Sequence, residues 1–272
     1  MKIVSFNING IRAHIHQLYE IINKYNPDII GLQETKVHDL LFPCDKINNL
    51  GYGCTYYGQK SHYGVALLYK KKPLKIYKGL PNDQKNVQPR VISAIFKIET
   101  GSMITIINSY FPNGENKKHP IKFPAKKKFF KDFISYLKSI FFYKSKIVII
   151  GDMNISPSDL DIGIGLANMI RWLKIGKCAF LPEERNWIQL IQDIGFIDVY
   201  RKKNPKIKDK FSWFDYRSNG FKFNRGLRID LILSSLEVFK KCSQIDIDYE
   251  IRSMHKPSDH APVWADFDYV IL

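Results

Sequence analysis

The stretch KIVIIGDMN, residues 146–154, runs through four consecutive β-type apolar residues, Ile147 to Ile150, and turns polar within one glycine. Its length and composition read as a short strand, with Asp152 and Asn154 just past its end. Runs of the same kind recur along the chain: KIVSF (2–6), DIIGLQE (28–34), GVALLYK (64–70), VISAIFKI (91–98), MITIINSYF (103–111), RIDLILSS (228–235) and APVWADF (261–267). Amphipathic segments lie between them. In residues 14–28, Ile15, Leu18, Ile21, Ile22 and Tyr25 fall at helical spacing before Pro27. In 123–145, Phe130, Phe133, Ile134, Leu137, Ile140 and Phe141 form one apolar face opposite a basic one. A third helix is predicted in 181–196, where Trp187, Leu190, Ile191 and Ile194 repeat and Gly195 can cap the end.

Strands in hairpin-like succession, and strands flanked by helices, together predict a four-layered α/β sandwich: two packed β-sheets with helices outside. No repeat or long linker divides the chain, so residues 1–272 read as a single domain. The Lys-, Asn- and Gly-rich segments near 113–128 and 201–226 read as loops above the sheets.

Composition narrows the function. Hydrophobic residues make up 45% of the chain, ample for a core, and no apolar run approaches membrane-spanning length. The opening MKIVSFNING lacks a secretory apolar region, so a cytoplasmic location is expected, with no membrane partner. Cys44, Cys54, Cys178 and Cys242 show neither CxxC spacing nor a framework, and are expected to be reduced. The formal charge of +16 favours a polyanionic partner. An AT-rich coding bias accounts for the abundant Lys, Ile, Asn, Tyr and Phe equally well, so charge alone supports nucleic acid only weakly.

Polar residues gather at the predicted strand ends. Asn7 and Asn9 follow KIVSF, Gln33 and Glu34 follow DIIGL, and Asn108 and Tyr110 close MITIINSY. Asp230 interrupts an apolar run, while Asp259 and His260 open the last strand. Taken singly, these have ordinary readings: Glu34 as a solvated loop carboxylate, Asp152 as an Asx-turn, His260 as a satisfied core histidine. Asp230 resists such a reading, because a buried unpaired carboxylate is costly; its natural partner is a histidine. Carboxylates and amide oxygens, without thiolates or a histidine cluster, suit Mg2+ or Mn2+, and a basic surface then suggests a phosphate ester as substrate.

The sequence closely resembles the exonuclease III family of Mg-dependent abasic-site endonucleases, within the endonuclease/exonuclease/phosphatase superfamily. The motifs run almost from end to end: SFNING, IGLQETKVHD, YFPNGE, HPIKFPAK, GDMNISPSDLDIGIG, FSWFDYRS, NRGLRIDLIL and KPSDHAPVWA. GDMN or SDHAPV alone fits many superfamily members; together with FSWFDYRS and NRGLRIDLIL they indicate the DNA-repair branch. The resemblance implies a monomer acting on double-stranded DNA with abasic sites or blocked 3′ ends, by incision 5′ to the lesion and by 3′–5′ exonuclease and 3′-phosphatase action. It implies that Glu34 ligates the metal with Asn7 and Asp259 nearby and Asp152 and Asn154 at the same centre. Asp152 would orient or deprotonate water, Asn154 and Tyr110 would meet the phosphate, and His260 would bind a phosphate oxygen while hydrogen-bonded to Asp230. Trp213, Leu227 and Ile229 would wall an abasic pocket, and Arg90, Lys122 and the HPIKFP loop would hold the DNA backbone. Two positions depart from the family pattern: Asn113 stands where Gln is expected, and Pro89 where Arg is usual. Both are expected beside the DNA groove. A superfamily relative acting on phospholipid would share the metal centre but not Trp213 and the basic loops. A noncatalytic binder would gain nothing from carboxylates facing a polyanion.

Overall fold

The computed structural model describes residues 1–83, 88–142 and 144–272. Among them the strands are β1 (Lys2–Asn7), β2 (Ile29–Gln33), β3 (Gly53–Tyr57), β4 (Val65–Tyr69), β5 (Lys75–Lys78), β6 (Val91–Lys97), β7 (Met103–Tyr110), β8 (Ile147–Asp152), β9 (Phe196–Asp198), β10 (Asp230–Ser235), β11 (Cys242–Ile247) and β12 (Val263–Phe267). The α-helices are α1 (Ile11–Tyr25), α2 (Cys44–Asn48), α3 (Lys122–Ile140), α4 (Leu166–Ile175), α5 (Pro182–Ile194), α6 (Val199–Lys203), α7 (Leu236–Phe239) and α8 (Tyr249–Arg252). One sheet has the order β11-β12-β1-β2-β4-β3, the other β5-β6-β7-β8-β10-β9. Each is antiparallel except at its centre, where β1 runs parallel to β2 and β7 parallel to β8.

Alternation along each central strand builds the layers. Ile3, Ile29, Val65 and Leu67 face Ile106, Val148, Ile150 and Ile232 of the other sheet. The intervening Val4, Phe6, Ile30, Leu32, Ala66 and Leu68 pack outward against Leu18, Ile21 and Ile22 of α1. In the second sheet Ile147, Ile149, Leu231 and Leu233 face Phe130, Phe133 and Leu137 of α3 and Ile188 and Ile191 of α5. Both faces of the central strands are therefore apolar and covered, which gives the predicted helix–sheet–sheet–helix sandwich.

One polar residue crosses the inter-sheet layer. Asn108 of β7 is fully buried; its Nδ2 donates to the carbonyls of Leu32 (2.9 Å) and Ala66 (2.8 Å), and its Oδ1 accepts from Gln33 Nε2 (2.7 Å). Room for it comes from Gly31, where a Cβ would lie within 3.0 Å of the Asn108 side chain. Read from sequence as one more strand-end amide, Asn108 joins the sheets.

Helix ends follow the sequence. α1 stops at Asn26 in the left-handed conformation (φ 43°) before Pro27, and α5 ends at Gly195 (φ 124°). Three expectations are corrected. The loop expected over 113–128 gives way at Lys122 to α3, because Lys126 is a buried helical position and not part of a solvated run. The end of α6, from Arg201 to Lys203, and a short 3-10 turn at Tyr216–Ser218 likewise fall within the expected loop 201–226. Cys44 and Cys54 form a disulfide, with Cα atoms 6.7 Å apart, whereas Cys178 and Cys242 are free and buried. Spacing along the chain gives no sign that α2 packs on β3. α4 also goes unread in the sequence: none of its residues is buried, and Leu166, Ile170 and Leu173 are exposed.

Candidate active site

The parallel pairs β1–β2 and β7–β8 end at one mouth. Register sets Asn7 beside Gln33, Tyr110 beside Asp152, and Asp230 beside Asp152. The two sheets meet through Asn7, whose Nδ2 donates to Glu34 Oε1 (3.0 Å) and Asp152 Oδ2 (2.9 Å). Glu34 and Asn154 both adopt left-handed backbone (φ 51° and 50°), a sparsely populated conformation that turns their side chains back over the strand ends. The Asn154 amide N–H donates to Asp152 Oδ1 (2.9 Å), and its Nδ2 lies between the Phe111 carbonyl (3.0 Å) and Asp152 Oδ2 (3.3 Å).

His260 reaches this centre from the mouth of β12, next to the bridge between Trp213 and His260. Its Nδ1 is 2.8 Å from Asp230 Oδ2 and its Nε2 is 3.9 Å from Asp152 Oδ2. Asp230 is held from behind, where its backbone N–H and that of Ile229 both donate to Ser212 Oγ (2.9 and 3.0 Å). The sequence expectation of an Asp230–His260 pair is met in distance and burial.

The electrostatics divide these groups. Burial pushes Asp152 up, with Asp230 adding to the rise, to about 8. Burial opposes charge on His260, but Asp230 overrides it and holds the imidazole protonated up to about 10. Burial also raises Glu34, yet Lys36 (2.7 Å) and Asn7 prevail and keep its carboxyl below the usual range. Tyr110, half-buried and close to Glu34 and Asp152, is pushed well above the ordinary phenol range, first by desolvation, and stays a donor. The centre thus offers an ionised carboxylate, a carboxylate that takes up a proton near neutrality, a cationic imidazole and a neutral phenol.

Glu34, Asp152 and His260 each place a ligand-type atom within 4.8 Å of the others. A protonated imidazole is no ligand, so the oxygens of Glu34 and Asp152 are the ones suited to a hard cation. Asn7 marks the place: its Nδ2 donates to both carboxylates, where positive charge is favoured, while its Oδ1 accepts from the Asn9 N–H (3.0 Å). Asp259 is not brought into this group. Its Oδ1 accepts from Asn9 Nδ2 (2.8 Å) and its Oδ2 from Trp213 Nε1 (3.0 Å).

The wall beside the centre is apolar. Leu227 and Ile229 are buried with Ile164, Ala179 and Phe180, and Trp213 packs at their rim. Trp213 and Leu227 exchange backbone hydrogen bonds of 2.9 Å. Between the two wall residues, the buried Arg228 bonds Asp161 and Asp198, at 2.6 Å each, and fixes the segment.

The expected DNA grips divide. Lys122 is exposed at the start of α3 and paired with Glu115. Arg90, read as a grip on the DNA backbone, is instead buried. Its guanidinium lies 4.3 and 4.8 Å from the Tyr63 and Tyr110 ring centres, and its Nη1 donates to the Tyr110 carbonyl (3.0 Å). It orders Tyr110 because aromatic faces and a carbonyl take up its charge from both sides. Pro89 is also buried, its carbonyl accepting from Gly64 N–H (3.1 Å), and offers no groove surface. Asn113 donates to Asn154 Oδ1 (2.8 Å), at the reaction centre itself. Sequence reasoning missed Lys36 and Asn9 as partners of the acidic residues. Their one legible signal was a lysine two places after Glu34 and an amide two places after Asn7.

Residues 4–260 match the Endonuclease/Exonuclease/phosphatase family, and the chain belongs to that family. It is 56% identical over 267 residues to the exodeoxyribonuclease III of Haemophilus influenzae, covering 98% of this chain and 100% of that one. The 3′ phosphatase NExo from Neisseria, solved bound to a product DNA hairpin, superposes with a TM-score of 0.90 at 34% identity, covering 98% of this chain and 99% of that one. An AP endonuclease from Archaeoglobus fulgidus does so with a TM-score of 0.88 at 32% identity, over 98% and 99% of the two chains. The chain is accordingly a hydrolytic nuclease of a metal-dependent family, with an acidic site able to take an ion.

Proposed function

We propose that this chain is a Mg2+-dependent DNA repair phosphodiesterase that incises duplex DNA 5′ to abasic sites and also removes 3′ blocking groups and 3′ nucleotides. The observation that carries the reading is the meeting, beside the Trp213 wall, of Asn7 and Glu34 from one sheet with Asp152, Asp230 and His260. Relatives named for exodeoxyribonuclease III and AP endonuclease activity, and one seated on DNA, support the substrate class. The same reading takes residues 1–272 as one domain working as a monomer in the cytoplasm.

Glu34 and Asp152, with Asn7 beside them, would hold the cation, which would supply positive charge to the scissile phosphate. Mn2+ is expected to substitute for Mg2+. Every other role falls to side chains. Asp152, oriented by Asn7 Nδ2 (2.9 Å) and the Asn154 N–H (2.9 Å), accepts the proton of the attacking water. His260, kept cationic by Asp230, binds a phosphate oxygen, and Tyr110 and Asn154 donate to the charge that develops there. Trp213 with Leu227 and Ile229 receives the sugar that has no base, because a small apolar wall excludes an intact nucleotide. Lys122 and the surrounding loop grip phosphates without regard to sequence.

The test is incubation with a duplex oligonucleotide carrying one abasic-site analogue, beside an undamaged duplex, with Mg2+ or with EDTA. Metal-dependent incision immediately 5′ to the lesion is the expected result; tight binding without incision would overturn the reading. Glu34→Ala should raise the Mg2+ concentration for half-maximal rate by about 10-fold or more, read from a metal titration of initial rates. An unchanged titration would remove Glu34 from the metal site.

A further inference from the structure

The run AKKKFFK (125–131) in α3 contains one lysine unlike its neighbours. Lys127 and Lys128 are exposed, but Lys126 is fully buried, as is its partner Glu184 of α5. All three protons of the ammonium are used: Nζ donates to Glu184 Oε1 (2.5 Å), to the Asn154 carbonyl (2.9 Å) and to the Asn113 carbonyl (3.1 Å). Glu184 Oε2 in turn accepts from the N–H groups of Ala179 (2.8 Å) and Leu181 (2.9 Å). One ion pair thus ties together the loop after β7, the loop after β8 and the loop before α5. Gly114 (φ 82°) makes the approach possible, since a Cβ there would lie 2.7 Å from Lys126 Cδ.

A buried ion pair is a poor source of stability, because an apolar pair of the same volume holds a fold as well or better. What it fixes here is a direction. Asn154 has left-handed backbone, and its side chain is aimed by Asn113 at one end and Asp152 at the other. Both asparagines that meet in that contact have their carbonyls on Lys126.

We infer that Lys126 and Glu184 form a positioning pair that sets Asn154, through its own carbonyl and that of Asn113, for its contact with the scissile phosphate. The inference rests on the role given to Asn154 above. The pair touches no reacting atom; it acts by holding the two loops to one geometry, and the loss of such preorganisation falls on kcat more than on KM.

The experiment compares Lys126→Met/Glu184→Gln, which removes both charges with little change of volume, with Asn154→Ala and with the triple variant. Initial rates on the abasic duplex in Mg2+ give kcat and KM, and a thermal melt reports folding. The double variant is expected to lose about 10- to 100-fold in kcat with KM within about 3-fold of wild type. In the Asn154→Ala background the same two changes should cost less than about 3-fold, since the residue they act on is gone. Losses that multiply in the triple variant, or a double variant with wild-type kcat beside an impaired Asn154→Ala, would overturn the inference while leaving the Asn154 role standing. Wild-type kcat in Asn154→Ala would instead remove the role of Asn154, and the positioning pair with it. Should the double variant not fold, Glu184→Gln alone completes the same cycle, with the same outcomes.

Discussion

Asp152→Asn abolishes incision, by about 10^3-fold or more in single-turnover rate, while DNA binding persists. The substitution preserves shape but removes the one buried carboxylate placed to take a proton near neutrality. Rate and affinity are separable by quench kinetics and by fluorescence anisotropy on the same labelled duplex. A rate within about 5-fold of wild type would assign the proton to another group.

A second readout of that variant runs in the opposite direction. In the metal-free protein the folded Asp152 binds its proton more tightly than the unfolded chain does, with a value raised from the ordinary 3.8 to about 8. Its favourable contribution is complete below pH 3.8 and is lost as pH rises through 8, so at neutral pH much of the burden of a buried charge has appeared. Metal-free Asp152→Asn should therefore melt above metal-free wild type at pH 7–8, and the gap should close towards acid. An inactive variant that is also more stable marks a residue kept for chemistry.

His260→Asn is the other severe loss, about 10^2- to 10^3-fold in rate, because it removes a cation and a donor from the developing phosphate charge. Unlike Asp152→Asn it should destabilise, since Asp230 is left buried with Oδ1 already lacking a partner and Oδ2 newly without one. Asp230→Asn added to His260→Asn should restore the melting temperature but not the rate. The pH dependence carries the sign. With Asp230 present the imidazole keeps its proton to about 10, so no fall in rate between pH 6 and 8 comes from this group. Asp230→Asn removes its main support, leaves burial to lower it, and should introduce such a fall. A flat profile in Asp230→Asn, at unchanged rate, would detach Asp230 from the function of His260.

Much of this site is legible in the sequence because strands built of apolar residues have few reasons to end in Asp, Asn, Glu and Tyr. Polar ends on KIVSF, DIIGL and KIVIIG, with Asp230 and His260 near the ends of two others, already describe the centre. What the sequence hides is burial set by distant partners. Arg90 looks like a DNA contact until Tyr63 and Tyr110 close over it. Lys126 looks like one of several solvated lysines until Glu184, 58 residues on, meets it in the interior. Asp259 and the disulfide of Cys44 are hidden for the same reason. Each depends on which helix or loop covers which strand, and local spacing carries no record of that.

The pairing of β12 with β1 bears on the life of the chain before it is an enzyme. Ser258 Oγ holds the Asn7 carbonyl (2.7 Å) across 251 positions of sequence, two residues from His260. Translation makes Asn7 and Glu34 long before His260, so both wait for the histidine and for the strand that pairs with β1. Contacts of such long range also form slowly. The centre is thus completed by the same long-range pairing that joins β12 to β1, so its acidic residues gain their histidine only when that pairing forms.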